Sequence, residues 1–135
     1  MRNRKRQGAA LIEAAIVMPI LVLVTFGAIK YGWLIYRLQQ VTNVTRQAAR
    51  LAIRPSATDA EVNAAIDSLM SRAGLSKDLY TAEVQNLGAS PGSAITVSIT
   101  VPTDSAKIDL VQTNGLLPKP KDLSISVTMS KEGPQ

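Results

Sequence analysis

Hydrophobic and polar positions divide the chain into three regimes. Between Ala9 and Tyr36 apolar residues dominate, and Ala14 to Ile29 holds no charged side chain. Crossing a bilayer takes about 20 such residues in a helix, and Ala9 to Tyr31 supplies them. From Leu38 the apolar positions thin to a helical stripe, Val41, Val44, Ala48 and Leu51–Ala52, with Asn43, Arg46, Gln47, Arg50 and Arg54 on other faces. No breaker intervenes before Pro55. The pattern therefore predicts one continuous helix from about Ala9 to Ile53, apolar all round at first and amphipathic later. At 1.5 Å per residue it is roughly 65–70 Å long.

A second helix follows. Thr58 and Glu61 have capping-box spacing, Val62, Ile66, Leu69 and Ala73 form one stripe, and Gly74 ends it. The period then drops to two. "LYTAEVQNL" alternates loosely, "SAITVSITVP" strictly, and "DLSISVTMS" repeats the pattern with Leu123, Ile125, Val127 and Met129 on one face. The turn cluster "LGASPGS" joins the first two as a hairpin. Three strands with one apolar face need a cover, and the amphipathic half of the first helix and the Val62 stripe provide it. The expected fold is α+β, a long N-terminal helix, a short second helix and a small antiparallel sheet of about three strands. Its parts are a basic leader (1–8), a transmembrane helix (9–36), its amphipathic continuation (37–54), an α+β head (55–130) and a tail (131–135). The connection over 103–121 is long for a structureless loop. Ala106 to Val111 reads as a short helix within it, and the whole is either a decorated crossover or a partner-binding loop.

The apolar segment has two readings. A secretory signal has a basic start, an apolar core of roughly 7–15 residues and a small-residue cleavage site. Here the stretch is longer and runs on into "KYGWLIYR", where Lys30, Tyr31, Trp33 and Tyr36 suit a membrane interface. A membrane anchor fits better than a signal peptide cut near "TFGA". Arg2, Arg4, Lys5 and Arg6 direct the N-terminus to the cytoplasm and the bulk of the chain to the far side of the membrane. Pro19, in mid-span, marks either a kink in one helix or a place that unwinds when helices pack together.

Charge and composition narrow the chemistry. Of the net charge of +5, four units come from those basic residues in the first six positions, which leaves +1 on the rest. The head has no basic face for nucleic acid. With no Cys and no His, thiolate nucleophiles, His-based metal sites and a Ser-His-Asp triad are excluded. Asp67, Asp78, Glu83, Asp104 and Asp109 form no acid/base couple by spacing and read as a solvated surface. The chain is expected to be no enzyme, with no cofactor and no small-molecule substrate.

Glu13 remains, a carboxylate within the apolar run, where an unpaired charge costs a few kcal/mol or more. One account has it shallow, paired with Lys5 or Arg6, or protonated. The layout supplies another. Basic residues, Gly8, a carboxylate five positions later and a long apolar helix resemble type IV pilin-like precursors. "GAALIE" from Gly8 to Glu13, Pro19, the Tyr31–Gly32–Trp33 turn and the stretch from Thr42 to Arg50 together resemble TadE-like proteins of tight-adherence (Tad) pilus systems. The resemblance covers about the first 54 residues. Beyond it the strands fit in pattern only, with a Leu116–Leu117–Pro118 in the long connection. Ala9, where ordinary pilins often have Phe, points to the Tad branch. Lys30 departs from the acid or neutral residue usual before the aromatic–Gly pair.

The resemblance implies a minor pilin or pilus-assembly component. A prepilin peptidase would cut between Gly8 and Ala9, and Glu13 would meet the new Ala9 ammonium of a neighbouring pilin-like subunit. A buried opposite-charge pair of this kind serves axial register more than stability. Ala10/Ala14 and Ala28/Gly32 have the small-xxx-small spacing of close helix packing, although the segment is Ala-rich throughout. The rival readings are an uncleaved, membrane-anchored extracytoplasmic binding module and, less favoured, an enzyme with a Ser/Lys or Asp/Glu site.

Overall fold

The computed structural model describes residues 2–104, 108, 118 and 120–133, with residues 2–7 and 9 described by their backbone alone. Its elements are α1 (Arg2–Ala52), α2 (Asp59–Arg72), a 3₁₀ turn (Lys77–Leu79), β1 (Thr81–Gln85), β2 (Ala94–Pro102) and β3 (Asp122–Ser130). This is the expected α+β fold. The short helix expected over 106–111, and the Leu116–Leu117 pair, lie outside the described residues.

Helix α1 is longer than the pattern predicted. It begins at Arg2 instead of Ala9 and runs through Pro19 to Ala52 as one continuous helix. Side-chain hydroxyls along it find partners within the helix. Thr25, Thr42 and Thr45 each donate to the carbonyl four residues earlier, at 2.8, 2.7 and 2.8 Å. For Thr45, buried completely, this satisfies a donor that water does not reach.

The two halves of α1 differ in what covers them. Leu11, Ile16, Leu21, Val24 and Phe26 are each at least half exposed. A stripe of Lys30, Leu34, Arg37, Val41, Thr45, Ala48 and Ala52, stepping by three or four, is buried or half-buried under the head. This is one helix face. Val41, Val44, Ala48, Ala49 and Ala52 join the core that α1 shares with α2 and the sheet.

Helix α2 is capped at both ends by its own sequence. The Thr58 side chain accepts from the Glu61 backbone, and the Glu61 carboxylate accepts from the Thr58 N–H. At the other end Gly74 takes φ +75°, Gly74 N–H donates to Ser71 and Leu75 N–H to Met70. This is the Schellman arrangement, closed by buried Met70 and Leu75. The buried face is Val62, Ile66 and Met70, with Met70 in the place the pattern gave to Ala73.

The sheet is an antiparallel meander, β1–β2–β3, with β2 central. Ile95, Val97, Ile99 and Val101 of β2 are fully buried against α1 and α2, flanked by Ala82 and Val84 on one side and Leu123, Ile125, Val127 and Met129 on the other. The opposite face is a ladder of hydroxyls. Thr96 meets Thr128 at 2.9 Å, Ser98 meets Ser126 at 3.2 Å and Thr100 meets Ser124 at 3.1 Å. Alternation puts these residues outward, and the register makes them partners across strands. At one end Glu132 N–H donates to the Ile53 carbonyl, tying β3 to the end of α1. At the other, Thr103 bonds the Pro120 and Lys121 carbonyls through its hydroxyl and Lys121 again through its N–H, clamping the two ends of the long connection.

Candidate functional site

The N-terminal residues singled out by sequence lie on the bare part of α1. Gly8 and Glu13 are exposed. The backbone at Gly8 and Ala9 is helical. A side chain added at Gly8 would meet nothing within 4 Å. Glu13 makes no ion pair among the described residues, and its apolar neighbours Leu11, Ile12 and Ile16 are also uncovered.

The four interfacial candidates do not behave alike. Lys30 is only 4% exposed and opens the stripe that docks under the head, so it is not an outward, snorkelling residue. The Tyr31 hydroxyl donates to the Pro118 carbonyl at 2.7 Å, fastening the long connection to the top of the span. Trp33 and Tyr36 form a tilted pair with ring centres 5.6 Å apart.

Sequence reasoning missed Arg37. Its guanidinium lies 4.8 Å from the Trp33 ring centre, a cation–π distance. The same group donates to the Ala73 carbonyl at 2.6 Å and to Gln40 Oε1 at 2.9 Å, and Gln40 in turn donates to the Tyr36 hydroxyl at 2.8 Å. A cation is thereby set on the carbonyl end of α2, where the helix dipole favours it. The available signal was the four-residue step from Trp33 to Arg37. The acceptor on α2 is 36 residues away, and no local pattern points to it. Trp33 Nε1 is sealed from solvent without an acceptor in the described chain.

These side chains line an open groove of about 590 Å³ between α1 and the C-terminal end of α2. Ala28, Ile29 and Gly32 form its lower end, and Tyr36, Arg37, Gln40 and Arg72 its upper end.

Asp67 corrects the reading of all head acids as merely solvated. Its carboxylate accepts from Lys77 Nζ at 2.5 Å and from the Tyr80 hydroxyl at 2.6 Å. The Lys77 hydrogen bond, then that of Tyr80, holds its pKa below the usual carboxylate value. Burial and the nearby Asp67 charge push the Tyr80 phenol well above its ordinary range. Together the three residues fasten the 3₁₀ turn and the start of β1 to α2.

The first half of α1 is bare and apolar, and the second half is the backbone of a small α+β head. The helix's most apolar 18-residue window has mean hydropathy 2.3 and is 0% buried, which separates it from the core helix of a globular protein. The helix is long and apolar enough to cross a membrane once. Residues 8–50 match the family model of TadE-like proteins, the family that the same helix resembles. The match suggests a Tad pilus-associated protein and lies wholly within α1. No curated protein and no solved structure matches the chain.

Proposed function

We propose that the protein is a minor pilin-like subunit of a Tad-type pilus, noncatalytic, acting in pilus assembly and surface adherence. The observation that carries this reading is the family match over residues 8–50 falling on a helix that is uncovered before Lys30 and head-bound after it. An uncovered apolar half suits two successive environments, lipid before assembly and neighbouring helices afterwards. In this reading a prepilin peptidase cuts between Gly8 and Ala9, removing the cationic leader and freeing an ammonium on Ala9. Glu13 of one subunit then receives the Ala9 ammonium of the next. Pairing makes burial of the two charges far less costly than burial of either alone. The head projects from the outer face of the inner membrane.

Mass spectrometry of membrane-extracted protein from cells with an active prepilin peptidase tests the reading. A chain beginning at Ala9 is expected, and Gly8→Val should accumulate the uncut form. An intact Met1, or a mature end near Ala28, would favour the uncleaved anchored module or an exported head instead.

A further inference from the structure

We propose that the groove between α1 and the C-terminal end of α2 holds the headgroup region of a membrane phospholipid. The site goes beyond pilus assembly and rests on α1 being a membrane anchor.

Depth is the first argument. Ala10 to Ile29 rise roughly 30 Å as a helix, the thickness of a hydrocarbon core. Ala28, Ile29 and Gly32 therefore stand at the hydrocarbon edge, and Trp33, Tyr36 and Arg37 one to two turns above it. The head covers α1 from Lys30 onward, so the groove opens where lipid glycerol and phosphate lie.

The order of chemistry along the groove is the second argument. Its lining is small and apolar below and hydrogen-bonding and cationic above, with two arginines and no carboxylate. A phospholipid has the same sequence of parts in the same direction. Helical side chains lean toward the helix N-terminus, here the membrane side. Arg37 follows that rule, lying over Trp33 one turn below. Arg37 is partly engaged by Ala73 and Gln40. Arg72, exposed on the last turn of α2, makes no ion pair among the described residues and is the cation available to a phosphate. A freely soluble phosphate has no use for the apolar lower end, which distinguishes lipid as the occupant. The volume, about 590 Å³, suits a headgroup with its glycerol and the first acyl carbons.

Trp33 is the one tryptophan in the chain and lines the groove, so it reports occupancy directly. The full chain is reconstituted in phosphatidylcholine vesicles containing a minor fraction of phosphatidylglycerol brominated near the glycerol. Flotation first establishes that the chain is membrane-bound, which tests the anchor separately. Quenching of Trp33 should then exceed that set by the mole fraction of brominated lipid. The preference should fall roughly fivefold in Arg72→Gln, the usual weight of one interfacial cation on anionic lipid. Gly32→Leu should abolish it by occupancy, since a side chain there meets nothing within 4 Å in the fold. Circular dichroism should show both variants folded. Arg72→Lys should recover part of the preference. Quenching that merely follows mole fraction, or is unchanged in both variants, overturns the site. So does displacement by millimolar glycerol phosphate, which would assign the groove to a soluble anion. Quenching that weakens as protein is concentrated at fixed lipid composition would assign it to a second copy and likewise overturn the proposal.

Discussion

At the scale of single residues, charge placement decides more than charge number. Glu13 and Asp67 are both acids on helices, yet their surroundings are opposites. Glu13 stands among exposed apolar side chains, and in the proposed reading its partner comes from outside the subunit. Glu13→Ala should leave the head folded and the leader cut, while cysteine crosslinking between positions 13 and 9 of adjacent subunits drops. Leaving one charge of a buried pair alone typically costs about 3–5 kcal/mol, and Glu13→Gln should be milder. Equal assembly by Glu13→Ala would remove the register role. Asp67 has its partners within the head. Its folded pKa lies below the unfolded one, so its contribution is present above about pH 4 and lost as pH falls through the folded value. Tyr80 is shifted upward, so its contribution is full below about pH 10 and lost as pH rises beyond. Between these limits Tyr80→Phe should lower stability by about 1 kcal/mol, reduced from a buried charged hydrogen bond because Asp67 is partly solvated. The gap between melting curves of the parent and of Asp67→Asn should narrow as pH falls from about 4 through the lowered folded value. A constant gap from pH 2 to 7 would show that the network does not titrate as described.

At the scale of elements, α2 depends on its two ends. The Thr58–Glu61 box starts it and Gly74, at φ +75°, stops it. Gly74→Ala forces a side chain into the left-handed region at a cost of about 1–2 kcal/mol, though the nearest neighbour, an Arg37 nitrogen, is 4.0 Å away. Thr58→Ala should cost about 1 kcal/mol through loss of the cap. The two sites are separate, so the double variant should show the sum within a few tenths of a kcal/mol by denaturant titration. A much larger loss in the double variant would mean that the ends are coupled through the Arg37 contact with Ala73.

For the whole molecule, the boundary at Lys30 separates two folding regimes. The apolar window before it is 0% buried, so the head owes it no packing. A chain beginning at Lys30 should remain soluble and fold cooperatively, with far-UV dichroism retaining both helices. A chain beginning at Thr45 loses Val41, Val44 and the Arg37 tie to α2, and should not give a cooperative melt. If the Lys30 chain proves unfolded, the head requires the membrane half after all. In the intact protein a reporter fused after Ser130 should read as extracytoplasmic. A cytoplasmic signal would refute the orientation expected from the basic N-terminal residues.

The sequence by itself determined whatever depends on neighbours along the chain. The apolar run, the 3.6-residue stripe, the capping box at Thr58 and the alternation in β2 and β3 are local periodicities, and each produced the element it implied. The TadE-like layout of Gly8, Glu13 and Pro19 was equally legible because it is a spacing along one helix. Where α1 began was not, since Gly8 interrupts the pattern without breaking a helix. Tertiary structure alone decided which residues met across long separations. Met70 took the buried place expected for Ala73 because a glycine cap folds Leu75 back against it. Lys30 and Arg37 turned toward the head because they lie on the same face as Val41 and Ala48. Asp67 acquired Lys77 and Tyr80 only when the chain doubled back after α2. Burial and charge pairing depend on which surfaces meet, and that information lies in the packing of α1, α2 and the sheet together.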